Sequence, residues 1–471
     1  MKIDSIIRGP LLNPRGPGTV DYFPDGAIVG DDRGKIVAVG AWDEISLQFA
    51  SAAARVRAAD GWIMPPMLDA HIHIPQHPIR GRFLEGITGS PEGGPLLAGL
   101  NRNVFPAEGR CGDPKIAERV IDDFLADTLA HGVIGGAAYQ TVHTAATRAA
   151  LERLPPEWSV GLVMMQRFCP DYLRTDEANL DRDVAELAGD FGSRLIVTDR
   201  FAGTVDSPLR RHGVVLAERH GLRMQTHLNE QFIEKAWVES LYPNAASYTD
   251  VYRQDGLLRR AAILAHCVRM RSDEFDLVEA AAADGAAVAH CPVSNTLLGS
   301  GVMPLDEIVA RGIPYALCTD VGASPTTSLL CEMLQFLRVH RGRSQAATPQ
   351  EALYRVTLAP AKILGLTDRL GSFAPGKDLT YIEVAGGSNA FRSSEANRAI
   401  LEGVLESSDA DLDRYSPSGE LGSAIAKLAK VGLPVAAELS ALTADVEQTA
   451  AAFDDKISRV IVAGRQVLPR P

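Results

Sequence analysis

Two histidines separated by a single residue, His71 and His73, close the run Asp69-Ala70-His71-Ile72-His73, directly after the apolar stretch Ile63–Leu68. Side chains along a strand alternate faces, so residues two apart project the same way. Two imidazoles on one face make half of a transition-metal site. Further chemically capable groups also follow apolar runs. His227 follows Leu222-Arg223-Met224-Gln225-Thr226, with Glu230 shortly after it. His266 follows Ala262–Ala265, and Asp320 follows Tyr315–Thr319. Singly, each has an ordinary structural reading: a satisfied core histidine, a helix N-cap, a first-turn charge. Together they place ligands and acid–base groups at the ends of four separate runs.

Three imidazoles and one carboxylate from this set suit a single divalent ion with a position left open for water, whose pKa then falls towards neutrality. Asp320 could take a proton from that water. Glu230 could carry a proton to a ring nitrogen or a leaving amine, and His266 could orient hydroxide or stabilise negative charge. No lysine follows Leu195–Thr198 to bridge a second metal, so one ion is expected. Zinc and iron(II) both suit such a donor set. His290 is expected to be structural.

Elements must carry these groups. From about residue 67 to 365, short apolar runs alternate with longer amphipathic, alanine-rich stretches. Strand alternating with helix over about 300 residues predicts a (β/α)8 barrel, an α/β fold whose catalytic residues sit at the C-terminal ends of the strands. A doubly wound parallel sheet is the alternative by pattern alone. Helices are expected over Pro114–His131, Val205–His220 and Asp273–Asp284. Residues 1–66 and 366–471 read as β-rich and are expected to form one small sandwich beside the barrel, with a hairpin at Ala27–Val39 and a helical insertion near 385–450.

The 471 residues are 46% hydrophobic and 23% charged, with a net charge of −12, which argues against nucleic acid or an anionic membrane as a partner. Six cysteines in this length make no disulfide framework. No apolar run is long enough to span a bilayer, and Met1-Lys2-Ile3-Asp4 lacks the apolar core of a signal peptide, so a cytoplasmic setting is expected.

Several longer segments resemble the amidohydrolase superfamily and, within it, guanine deaminases. His71-Ile72-His73-Ile74-Pro75-Gln76 resembles that family's H-x-H-x-P-Q segment, and Phe105-Pro106-Ala107-Glu108 its F-P-x-E segment. His290-Cys291-Pro292-Val293-Ser294-Asn295 with Leu298–Gly301 is similar to C-P-x-S-N-x-x-L-x-S-G, and Tyr242, Tyr248 and Tyr252 to its tyrosine-rich stretch. The resemblance implies metal ligands at His71, His73, His227 and Asp320, catalytic roles for His266 and Glu230, and purine binding by Gln76, Arg200 and Phe201. It implies zinc-dependent deamination of a guanine-like aminopurine by a homodimer. The chain also departs from the family. Gly99 stands in Leu96-Leu97-Ala98-Gly99-Leu100 where the family carries tryptophan, and the loop Gly81–Pro95 is longer and has five glycines. Gln166 and Phe168 replace an aspartate and an asparagine. These departures predict a wider pocket, with a pterin, an oxidised purine or an s-triazine as alternative substrates; a non-catalytic scaffold is a third reading.

Overall fold

The computed structural model describes residues 2–87, 94–259, 261–386, 395–431 and 436–468. Part of the glycine-rich loop, residues 88–93, and parts of the expected insertion, residues 387–394 and 432–435, lie outside the described residues.

Eight parallel strands run in chain order around the centre: β6 (Met67–His73), β7 (Val133–Tyr139), β8 (Trp158–Met164), β9 (Leu195–Asp199), β10 (Arg223–Leu228), β11 (Ile263–His266), β12 (Ala287–His290) and β13 (Tyr315–Leu317). They follow the first five strands, which belong to the other sheet described below. Nearly every residue of these eight strands is buried, as expected of a parallel sheet covered by helices on its outer side. Helices of suitable length lie between them, among them Pro114–Ala130, Ser207–His220 and Ser272–Ala282. Their starts follow local chemistry. The Asp113 side chain accepts the N–H groups of Lys115 and Ile116, and Pro114 supplies the fixed φ of a first turn. The helix Ser207–His220 ends at Gly221 in the left-handed region, φ 64°.

The ring of strands closes at its functional end. Beyond β13, the Asp320 N–H donates to the His71 carbonyl (3.0 Å), and the His73 N–H donates to the Val321 carbonyl (2.9 Å). Asp69, fully buried, accepts the Thr319 hydroxyl at 2.6 Å and the His71 N–H at 3.1 Å. Burial pushes this carboxyl up to about 6.

The chain ends build one mixed sheet. Its order is β16 (Arg465–Leu468), β15 (Ile457–Val462), β14 (Tyr381–Val384), β5 (Trp62–Met64), β1 (Ile3–Gly16), β2 (Thr19–Asp31) and β3 (Ile36–Ala41), with β4 (Val56–Ala58) also pairing β1. The expected hairpin is the β2–β3 pair. Asn13 clamps the returning chain, donating to the Phe373 carbonyl (3.0 Å) and accepting its N–H (2.8 Å). Helices Glu420–Val431 and Ala436–Phe453 precede the last two strands. No described helix is long and apolar enough to cross a membrane.

Candidate active site

The histidines at the end of β6 meet the groups expected from the other strands at one point. His71 Nε2 lies 3.3 Å and His73 Nε2 3.1 Å from Asp320 Oδ1. His227 Nε2 is 3.3 Å from His73 Nε2, and His266 Nε2 is 3.9 Å from Asp320 Oδ2. His71, His227, His266 and Asp320 each bring one ligand atom to within 4.8 Å of the others. This group of four contains His266 as well as three of the residues assigned to the ion by resemblance.

Neighbouring groups set the protonation of these rings. The Arg200 carbonyl can only accept, so the His227 Nδ1 at 2.6 Å carries the proton and Nε2 keeps its lone pair. Asn295 Oδ1 fixes His266 in the same way at 3.0 Å, leaving the buried Nε2 without a partner. Both ring nitrogens of His71 are also buried and without a hydrogen-bond partner. Burial lowers all four histidines, His73 to about 3, so they are neutral at physiological pH. Burial opposes the charge on Asp320, but the His71 and His73 imidazoles set against it at 3.3 and 3.1 Å outweigh burial and hold the carboxyl well below its ordinary range. The Ser294 hydroxyl adds a 2.6 Å bond to Asp320 Oδ2. Neutral imidazoles with lone pairs converging on an ionised carboxylate are a poor arrangement for a protein alone and a good one for a divalent cation. The donor set fits such an ion.

Glu230 stands beside this cluster, its Oε2 3.6 Å from His266 Nε2 and its Oε1 3.4 Å from the Ser300 hydroxyl. Burial, then the Asp320 charge, pushes its carboxyl up to about 8, so it holds a proton at neutral pH. Tyr252 and Tyr248 brace the end of β10 by donating to the His227 carbonyl at 2.9 and 3.3 Å.

A cleft opens over the cluster. It is lined by His73, His227, Asp320 and Glu230 on one side and by Gln76, Arg200, Phe201, Phe83, Leu96, Leu100, Leu298 and Glu234 elsewhere. The three residues expected to hold a purine thus share the cavity with the metal-type cluster. Gln76 sits in the turn Ile74–Ile79 that continues β6, and Arg200 and Phe201 directly follow β9. Behind them, the fully buried Arg210 ties Asp199 to Asp255 through two 2.6 Å bonds and steadies the end of β9.

Sequence reasoning left several contributors without a role. Glu108 accepts both Arg200 Nη1 (2.6 Å) and Gln76 Nε2 (2.9 Å) on one carboxylate oxygen. It lies in the F-P-x-E segment, just as Ser294 and Asn295 lie in the C-P-x-S-N segment, so the signal was in the motifs themselves. His290, expected to be structural, is buried with its Nε2 3.1 Å from that of buried His340. Gln166 and Phe168 do not line the cavity. Phe168 is exposed and packs edge-on against Trp237.

Comparison with known proteins agrees with this geometry. A model of the amidohydrolase family matches residues 62–404. A guanine deaminase of Escherichia coli (strain K12) is 31% identical over 379 residues, covering 79% of this chain and 83% of that protein. A probable guanine deaminase of Deinococcus radiodurans is 32% identical over 408 residues, covering 82% and 90%. Among solved structures, E. coli guanine deaminase superposes with a TM-score of 0.75 at 26% identity, covering 99% of each chain. With the barrel, the strand-end cluster and these matches agreeing, this chain belongs to the amidohydrolase family.

Proposed function

We propose that this protein is a metal-dependent aminohydrolase that converts guanine and water to xanthine and ammonia. The observation that carries the reading is the cavity itself: a cluster of neutral histidines and one ionised aspartate opens into the same cleft as Gln76, Arg200 and Phe201. The similar curated proteins named guanine deaminases support the substrate.

A divalent ion, zinc or iron(II), held by His71, His73, His227 and Asp320 would supply Lewis acidity that brings the pKa of a water molecule towards neutrality. The residues of the chain do the rest. The guanidinium of Arg200 offers N–H donors to the carbonyl and ring-nitrogen acceptors of the base, and the Gln76 amide offers both a donor and an acceptor. Phe201 gives the flat ring an apolar surface. Asp320, ionised, accepts a proton from the attacking water. Glu230, protonated at neutral pH, donates one to the ring as the oxygen adds to the carbon bearing the exocyclic amine. Asp320 then passes the proton it took to the amine, the carbon–nitrogen bond breaks and ammonia leaves, and the added hydroxyl becomes a carbonyl as its proton returns to Glu230. His266, neutral and fixed by Asn295, faces both carboxyl groups with an open lone pair and orients the attacking oxygen.

The test is ammonia release from guanine by protein depleted of metal with a chelator and then given zinc. Activity lost on depletion and regained with zinc is expected. Metal-loaded protein that releases no ammonia from guanine would refute the reading.

A further inference from the structure

The wall of the cavity contains a substitution in space that residue types alone do not reveal. Gly99 ends the helix Gly94–Gly99 in ordinary helical geometry, φ −63° and ψ −44°. Nothing in its backbone calls for glycine, and alanine is the better helix former at such a position. What the position lacks is room. A Cβ on Gly99 would stand 2.6 and 2.7 Å from the Cε1 and Cδ1 atoms of Phe83 and 2.8 Å from the Phe83 carbonyl oxygen, closer than real carbon contacts allow. The Phe83 ring therefore occupies the volume in which any side chain at 99 would begin. It is 6% exposed, and it lines the substrate cavity.

The turn that carries Phe83 is held at both ends. The Asn103 amide donates to the carbonyls of Phe83 (2.9 Å) and Glu85 (3.0 Å), tying the turn to the segment that follows Gly99. The Gly81 N–H donates to the Gly322 carbonyl at 2.9 Å, two residues beyond Asp320. The ring is thus fixed relative to both the helical wall and the reacting end of the barrel.

We infer that Phe83, admitted by Gly99, is a specificity-determining wall of the pocket, limiting the size of the ring system the site accepts to that of a purine. At Gly99 itself, an aromatic ring from a different part of the chain fills the space that the missing side chain was expected to leave open. This inference rests on the proposed deaminase reading of the same cavity.

The test compares kcat/KM for ammonia release from guanine and from pterin, whose second ring is one atom larger, in zinc-loaded wild type, Phe83→Ala and Phe83→Leu. Removing the ring should raise the pterin-to-guanine ratio at least about tenfold, in the range that pocket shape controls. A merely structural Phe83 would slow both substrates alike and leave the ratio fixed. If Phe83→Ala fails to fold, Phe83→Leu carries the test, with a shift of at least about threefold expected. An unchanged ratio, with guanine still turned over, overturns the inference and leaves the deaminase reading standing. A wild-type protein inert towards guanine overturns that reading, and this inference with it.

Discussion

Glu108 offers the sharpest test of how the substrate readers are held. Its carboxylate is 1% exposed and binds Arg200 and Gln76 through the same oxygen. Two unit charges 4 Å apart attract by about 4 kcal/mol at the effective dielectric of a protein, and this pair lies closer than that. Glu108→Gln keeps the shape and removes the charge, so Arg200 exchanges an ion pair for a bond to a neutral amide. Hydrogen bonds to charged groups contribute about 1.5–3 kcal/mol and ordinary ones about 0.5–1.5, a difference of about 1–1.5 kcal/mol. If that difference is what keeps the guanidinium in place for the base, kcat/KM should fall about 5- to 12-fold, at about 1.4 kcal/mol per decade. Glu108→Ala should also cost roughly 3–5 kcal/mol of stability, because it leaves the Arg200 charge buried without its partner. The assays are ammonia-release kinetics, metal content and thermal unfolding. Since Glu108 touches none of the metal-type ligands, metal content should stay at the wild-type value. Retention of kcat/KM within about twofold in Glu108→Gln, with a wild-type melting temperature, would show that this carboxylate does not position Arg200.

Glu230→Gln cannot give up a proton and should lower kcat about 10²- to 10⁴-fold while metal content is unchanged; full activity would remove Glu230 from the proton path. Ser294→Ala deletes the 2.6 Å bond that orients Asp320, and chelator competition should show metal held about 10- to 100-fold less tightly. Unchanged affinity would leave Ser294 no part in orienting the ligand. Asp378 bridges Lys35 (2.6 Å) and Arg369 (2.8 Å); burial opposes its charge, but these partners outweigh burial and depress its pKa. A depressed carboxyl stabilises the fold above its unfolded value of about 3.9, and that contribution is lost as pH falls through the folded value. Melting temperature should therefore drop on acidification below about pH 4, and less steeply in Asp378→Asn, with equal slopes counting against the bridge.

The sequence made the metal-type cluster legible because its residues follow buried strands one by one, and a parallel barrel gathers strand ends at one face. His71 and His73 are the clearest case: strand alternation alone points both at the same centre, and both ends of β6 and β13 meet there. Other contributors depend on contacts between segments far apart in the chain, which no local periodicity encodes. Glu108 reaches Arg200 across 92 positions, and its motif named it without saying what it touched. Gly99 looked like a lost wall because a side chain was missing there; the ring that replaces it comes from Phe83, in a turn held by Asn103. The pairing of the two chain ends in one sheet was foreseeable from their β-rich texture. Its order, with β14 paired to β5 and β1 paired to β2, β4 and β5, follows from long-range pairing.

The seam between the first and last barrel strands sets a time order on the birth of the site. Synthesis delivers Asp69, His71 and His73 some 250 residues before Thr319 and Asp320. At roughly 5–20 residues per second, the early histidines spend about 10 to 50 s with no carboxylate opposite them and no acceptor for the His73 N–H. The last strand completes the ring and the donor set in one event. Ion capture in the proposed enzyme is then a late step, and the ion is a clasp between the oldest and youngest strands of the barrel, so that opening the ring and releasing the ion draw on the same free energy.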